Sequence, residues 1–152
     1  MSKKLLVQNS IEINASPAEV WDALVNPDKT KVYMFGCEAL SEWEPGSTLL
    51  WQANVEGTDV VFVKGKIVEI KAPELLKYTV IDPHADMEDI PKNYLNVTYT
   101  LTEENGKTVL TVTQDGFEDA ADGEKRYKDT YNNGDGWNPI LLEIKKLLEE
   151  KK

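Results

Sequence analysis

The sequence reads as an α+β domain, a curved antiparallel sheet of about seven strands wrapped around a long C-terminal helix, with two short helices after the first strand. Three observations predict this. Strand-like runs separated by tight turns fill residues 35–114, and links so short force antiparallel neighbours. Helical spacing of apolar residues occurs only just after Ser16 and again towards the C-terminus. Roughly seven strands about 4.8 Å apart make a sheet ~30 Å wide, whereas a helix with its side chains is about 10–12 Å across, so the sheet has to curl around its one long helix.

Leu5 to Asn14 alternates, with Val7, Asn9, Ile11 and Ile13 on one face and Gln8, Ser10, Glu12 and Asn14 on the other, as a half-buried strand requires. "SPAEVWDALVNP" then supplies helix-start chemistry: Ser16 as N-cap, Pro17 at the first helical position and Glu19 three residues after the cap. Val20, Trp21 and Leu24 form its buried side, and Asn26-Pro27 ends it and starts a short second helix through Lys31. Strands are expected at Phe35–Trp43, Leu49–Val55, Val60–Ile70, Leu75–Ile81, Tyr94–Thr102 and Thr108–Gln114. Their turns are "EPGS", "EGTD", "KAPE" and "ENGK", where Asn105 and Gly106 suit the positive φ angles of a type I′ hairpin. The stretch Asp82–Asn93 is too long and acidic for a tight turn, so an exposed, mobile loop is expected; Gly65 is a plausible bulge.

The C-terminal region sets a puzzle. Trp137, Leu141, Ile144 and Leu148 form one apolar stripe opposite charged residues, and counting back adds Tyr127, Tyr131 and Gly134 to the same face. Yet Gly134, Gly136 and Pro139 weaken the middle, since a glycine costs about 1 kcal/mol against alanine in a helix interior and a proline about 3. Two readings are open. Either a continuous helix bends near Pro139 and leaves a hollow where Gly134 has no side chain, or Gly134 and Gly136 simply end one helix and start another, with no cavity at all.

At 152 residues the chain is expected to be a single domain, 1–152. A net charge of −10 with scattered lysines excludes a nucleic-acid surface and disfavours anionic membranes. The apolar run Leu5–Val7 is too short for a signal peptide, no stretch is long enough for a membrane span, and one cysteine allows no internal disulfide. The expectation is a cytoplasmic protein.

Groups for catalysis are few. His84, in "DPHAD", is read as a solvated loop histidine, and Cys37 as a buried inert thiol without a histidine partner. No metal spacing, phosphate loop or nucleophile elbow occurs, so no catalytic residue, metal or cofactor is expected. The aromatic residues are more informative. Trp51, Tyr78, Tyr99 and Gln114 are in phase with apolar neighbours on successive strands and so face the helix, where buried polar tips need partners that a ligand can supply. With Tyr127, Tyr131, Gly134 and Trp137 from the C-terminal region they make the candidate ligand-binding set, although core packing accounts for any one of them alone.

"SPAEVWDALVNPDK", "YMFG", "PGSTLLWQ", "GKIVEIKAPELLKYT", "VTYTLTEENGKTVLTVTQDGF" and "GWNPILLEIKKLLE" occur in an order that resembles the START-like helix-grip (SRPBCC) superfamily, in the branch of homologues of the activator of the Hsp90 ATPase. Pro139 and the acidic loops depart from that pattern. The resemblance implies a sheet gripping a C-terminal helix and a hydrophobic cavity that in many relatives holds a lipid, polyketide or aromatic ligand. Three functions follow: carriage of a small hydrophobic ligand, which is favoured; a chaperone-associated interaction module using the acidic loop and Glu118–Asp122; and a cyclase- or hydrolase-type enzyme, for which no carboxylate or histidine falls on the inward phases.

Overall fold

Local chemistry starts each helix where the sequence places it. The structure is a computed structural model that describes residues 5–84, 86–131 and 135–149. After β1 (Val7–Ile13), Ser16 accepts from the Glu19 backbone N–H while the Glu19 side chain accepts from the Ser16 N–H, and α1 runs Pro17–Val25. Asn26 caps α2 (Pro27–Tyr33), its side chain accepting from Asp28 N–H. The remaining strands are β2 (Glu38–Ser41), β3 (Thr48–Val55), β4 (Thr58–Lys71), β5 (Leu75–Val80), β6 (Leu95–Glu104) and β7 (Lys107–Asp115). Two helices follow, α3 (Gly123–Tyr131) and α4 (Asn138–Glu149).

The seven strands form one antiparallel sheet in the order β1-β7-β6-β5-β4-β3-β2. β4 pairs with β3 along its first half and with β5 along its second. Bulges fall at Phe62 and Val68, on either side of Gly65 rather than on it. Gly65 has a different task. A Cβ there would lie 1.6 Å from the Thr79 carbonyl oxygen, so β5 crosses β4 at a distance only glycine permits.

Helix α4 lies along the β1 side of the sheet and against α1 and α2. Its stripe is as the periodicity predicts: Leu141, Ile144 and Leu148 are buried, with Trp137 just ahead of the helix. The C-terminal helical region is divided, as the second of the two readings expects, but a cavity remains beside it, which that reading excluded. Gly136 has φ +49° and donates its N–H to Tyr131 O, and Pro139 sits in the first turn of α4, where a missing N–H breaks no helical bond. The turn resets the helical phase, so the stripe does not extend back through α3: Tyr127 is half-buried and Tyr131 is 46% exposed. Gly134 lies outside the described residues.

Two other expectations change. The strand read at Phe35–Trp43 begins only at Glu38, because Phe35 (φ +54°) and Gly36 (φ +87°) are both left-handed and no strand passes through such a pair. The loop after β5 is exposed but tethered. Asp89 pairs with Lys64 and accepts from Tyr94, while Asn93 is buried, donating to Glu88 O and accepting from Ala121 N–H. No described helix is long and apolar enough to cross a membrane.

Candidate functional site

Trp137 owes its position to two polar residues on the inner face of the sheet. Asn9, on β1, accepts the backbone N–H of Trp137 at 2.9 Å. Gln114, on β7, accepts the indole Nε1–H at 2.9 Å. The preceding residue has to be glycine: a Cβ on Gly136 would stand 2.3 Å from Asn9 Oδ1 and 3.1 Å from Val7, and φ is positive besides. The step from Gly136 to Trp137 is thus docked flat on β1, with the indole held over the sheet.

From Trp137 a row of rings crosses the sheet. Tyr99 on β6 meets the indole edge-on, with centroids 6.0 Å apart; Tyr78 on β5 meets Tyr99 at 5.5 Å, and Trp51 on β3 lies 6.1 Å from Tyr78. The Tyr78 and Tyr99 hydroxyls bond to each other at 2.8 Å, and Tyr33 donates to Ala23 O. Burial holds all three phenols well above their ordinary value, so they are neutral at physiological pH.

Between this row and the start of α4 the packing is incomplete. A cavity of about 420 Å³ opens there. Its floor is Trp51, Val63, Tyr78, Val80, Val97 and Gln114 from five consecutive strands, and its roof is Trp137 and Ile140. Met34, Phe35 and Cys37 wall it where the chain leaves α2, with Phe62 facing them from the β4 bulge. This mouth has a rigid anchor. Thr30, fully buried, donates to Cys37 O and accepts from Ala39 N–H, fixing the chain just after the left-handed step. Phe35 itself is 85% exposed, a large apolar ring in a strained backbone conformation with no packing of its own to require it.

No charged side chain lines the cavity among the described residues. Burial pushes the Cys37 thiol up, which keeps it protonated and a poor nucleophile. His84 is exposed on the loop after β5, with Nε2 against Val61 O at 2.9 Å, and is not part of the wall.

Of the residues selected from the sequence, Trp51, Tyr78, Gln114 and Trp137 come together around the cavity. Tyr99 lies behind them as support rather than lining. Tyr127 and Tyr131 stack on one another, with Tyr127 against Phe117, and do not line the cavity. Sequence reasoning missed the mouth. Phe35 and Cys37 were assigned to a strand, and Phe62 comes inward only because of a bulge; the pair Phe35-Gly36 was the available signal, as an aromatic residue beside a glycine in a short link.

A second, open groove of about 840 Å³ lies between the loop after β5 and the residues before α3, lined by Asp86, Glu88, Asp119 and Asp122 among others. Arg126 links its two sides, donating to Asn93 O and Ala121 O.

Comparison with known proteins agrees with this architecture. Residues 14–149 match the family described as Activator of Hsp90 ATPase homolog 1-like protein. No curated protein sequence matches the chain. Among solved structures, the solution structure of ChR145 from Cytophaga hutchinsonii is 37% identical, covers 99% of this chain and 98% of its own, and superposes with a TM-score of 0.76. CalU16 from Micromonospora echinospora (18% identity, 97% and 76% coverage, TM-score 0.69) is similar in fold. So is the Aha1 dimer from Colwellia psychrerythraea (17% identity, 97% and 98% coverage, TM-score 0.67).

Proposed function

The chain belongs to the Activator of Hsp90 ATPase homolog 1-like family, a branch of the helix-grip SRPBCC superfamily, and on that premise we propose that it binds a small aromatic or lipid-like ligand between sheet and α4, without catalysis. The observation that carries this reading is the cavity. Its volume of about 420 Å³ is within the range of small-molecule sites, roughly 300–1,000 Å³, and its wall is aromatic and aliphatic with few polar groups. Transfer of a flat apolar molecule into it is driven by about 25 cal/mol for each Å² of apolar area removed from water. The protonated Cys37 thiol and neutral phenols offer no general base, which supports carriage over reaction. Mapping by ¹⁵N-edited NMR during titration with flat aromatic compounds tests the reading. Saturable shifts centred on the Trp137 indole N–H and the Gln114 side-chain amide support it, and shifts confined to the outer surface contradict it.

A second reading, a chaperone-associated module, draws on the family description and on one feature of the fold. The two acidic segments, residues 86–93 and 118–122, are joined through Asn93 into one face. Charge reversal at Glu88 and Asp119 should abolish co-purification with a chaperone if that face is the contact; retention of the partner dismisses it.

A further inference from the structure

The carboxamide of Gln114 is the one polar group of the wall whose orientation its surroundings dictate. Trp137 Nε1–H can only donate, so the Gln114 atom it meets at 2.9 Å has to be the oxygen. The nitrogen, with two hydrogens, then turns the other way. It has no hydrogen-bond partner among the described residues, and no fully buried side-chain nitrogen or oxygen there lacks one, so Nε2 keeps access to open space. Gln114 is only 7% exposed overall, and the space it borders is the cavity.

The other polar tips of the wall have the same sign or are engaged. The Trp51 indole can only donate, the Tyr78 hydroxyl is taken up with Tyr99, and the protonated Cys37 thiol is only a weak donor or acceptor. The wall therefore offers donors. It offers no cation to neutralise an anion, and an unpaired buried charge is unfavourable by far more than a hydrogen bond returns.

We propose that the ligand of this cavity is a neutral apolar molecule carrying a carbonyl-type oxygen, and that Gln114, oriented by Trp137, is the residue that selects it by donating Nε2–H to that oxygen. This rests on the cavity being a binding site and adds which chemical class it accepts. Trp137 is a positioning residue here, because it fixes which end of the amide faces inward.

The test uses three probes of similar size with the full chain: benzophenone, diphenylmethane, which has the same rings without the carbonyl, and diphenylacetate, which carries a charge. Calorimetric titration should give benzophenone about threefold to tenfold tighter than diphenylmethane, the range of one hydrogen bond, with diphenylacetate weakest. The ratio of ketone to hydrocarbon affinity should fall towards one in Gln114→Met. An infrared measurement on the unaltered protein covers the case in which that variant fails to fold: the carbonyl stretch of bound benzophenone should move to lower frequency than in hydrocarbon solvent. Equal affinity for ketone and hydrocarbon, or tightest binding of the carboxylate, overturns the selection by Gln114 while leaving the cavity a binding site. Failure of all three probes to bind removes both.

Discussion

Gly136 connects two arguments that are usually separate, backbone strain and ligand placement. Its positive φ and its closeness to Asn9 Oδ1 both exclude a side chain, and both serve to seat Trp137 over the sheet. Replacing Gly136 with Ala should therefore destabilise the fold by about 1–3 kcal/mol in urea unfolding, and should weaken ligand binding in parallel because the indole moves. An unchanged midpoint would mean that the turn is free to rearrange. The sequence directed attention to Gly134, two residues earlier, because helical counting placed that position inward; the alternative break at the glycines was legible too, but not that Gly136 would dock the chain on β1. Asn9 was legible as a polar residue on an apolar face, but its partner lies 128 positions away and nothing local announces it. The tyrosines supply a pH prediction at the same scale. Tyr33, Tyr78 and Tyr99 have raised values in the folded chain, chiefly through burial, so folding holds protons that the unfolded chain releases above its ordinary value near 10. Their contribution is complete below that pH and is lost as pH rises through the raised values. Stability to urea should be insensitive to these groups from about pH 6 to about pH 9 and fall above about pH 10. The fall should be smaller in the double variant Tyr78→Phe, Tyr99→Phe; an equally steep fall would assign the alkaline transition elsewhere.

Elements governed by nearest neighbours were readable, and elements governed by distant partners were not. The capping box of α1 needs only Ser16 and Glu19, and the hairpin at Asn105-Gly106 needs only two residues that accept positive φ, so both stand where the sequence puts them. The bulges of β4 are a matter of how many residues face β3 and β5, a count that belongs to the pair and not to the strand, so the sequence alone points to Gly65 and not to Phe62 and Val68. What Gly65 provides is passage for β5. Gly65→Ala would drive a Cβ into the Thr79 carbonyl, which is backbone and cannot swing aside, so a loss of more than about 2 kcal/mol is expected from chemical unfolding. The bulge positions give a contrast: at the half-exposed Val68, Val68→Ala should change stability by no more than about 0.5 kcal/mol. Similar losses at the two sites would show that the bend does not depend on the close approach.

Across the whole molecule, the mismatch between the breadth of the sheet and the width of one helix decides where open space remains. Helix α4 packs on the β1 side and α2 on the opposite edge at β2, and the cavity opens between them, beneath the start of α4 and over β3 to β7. That the sheet must curl and enclose space beside its helix followed from strand number and helix width; where on the sheet that space lies did not. Which residues form the mouth did not, because it is made by the left-handed pair after α2 and by a bulge, both products of the folded chain. Val80 lines the cavity while half-buried, so an indole introduced there projects into the space without displacing the core beneath. The most direct measurement is a calorimetric titration of the protein and its Val80→Trp variant with a two-ring aromatic such as benzophenone. The account predicts one saturable site in the parent, weakened about tenfold or more in a variant that still melts cooperatively. Equal affinity in the two proteins, or no binding to the parent at any soluble concentration, would contradict it.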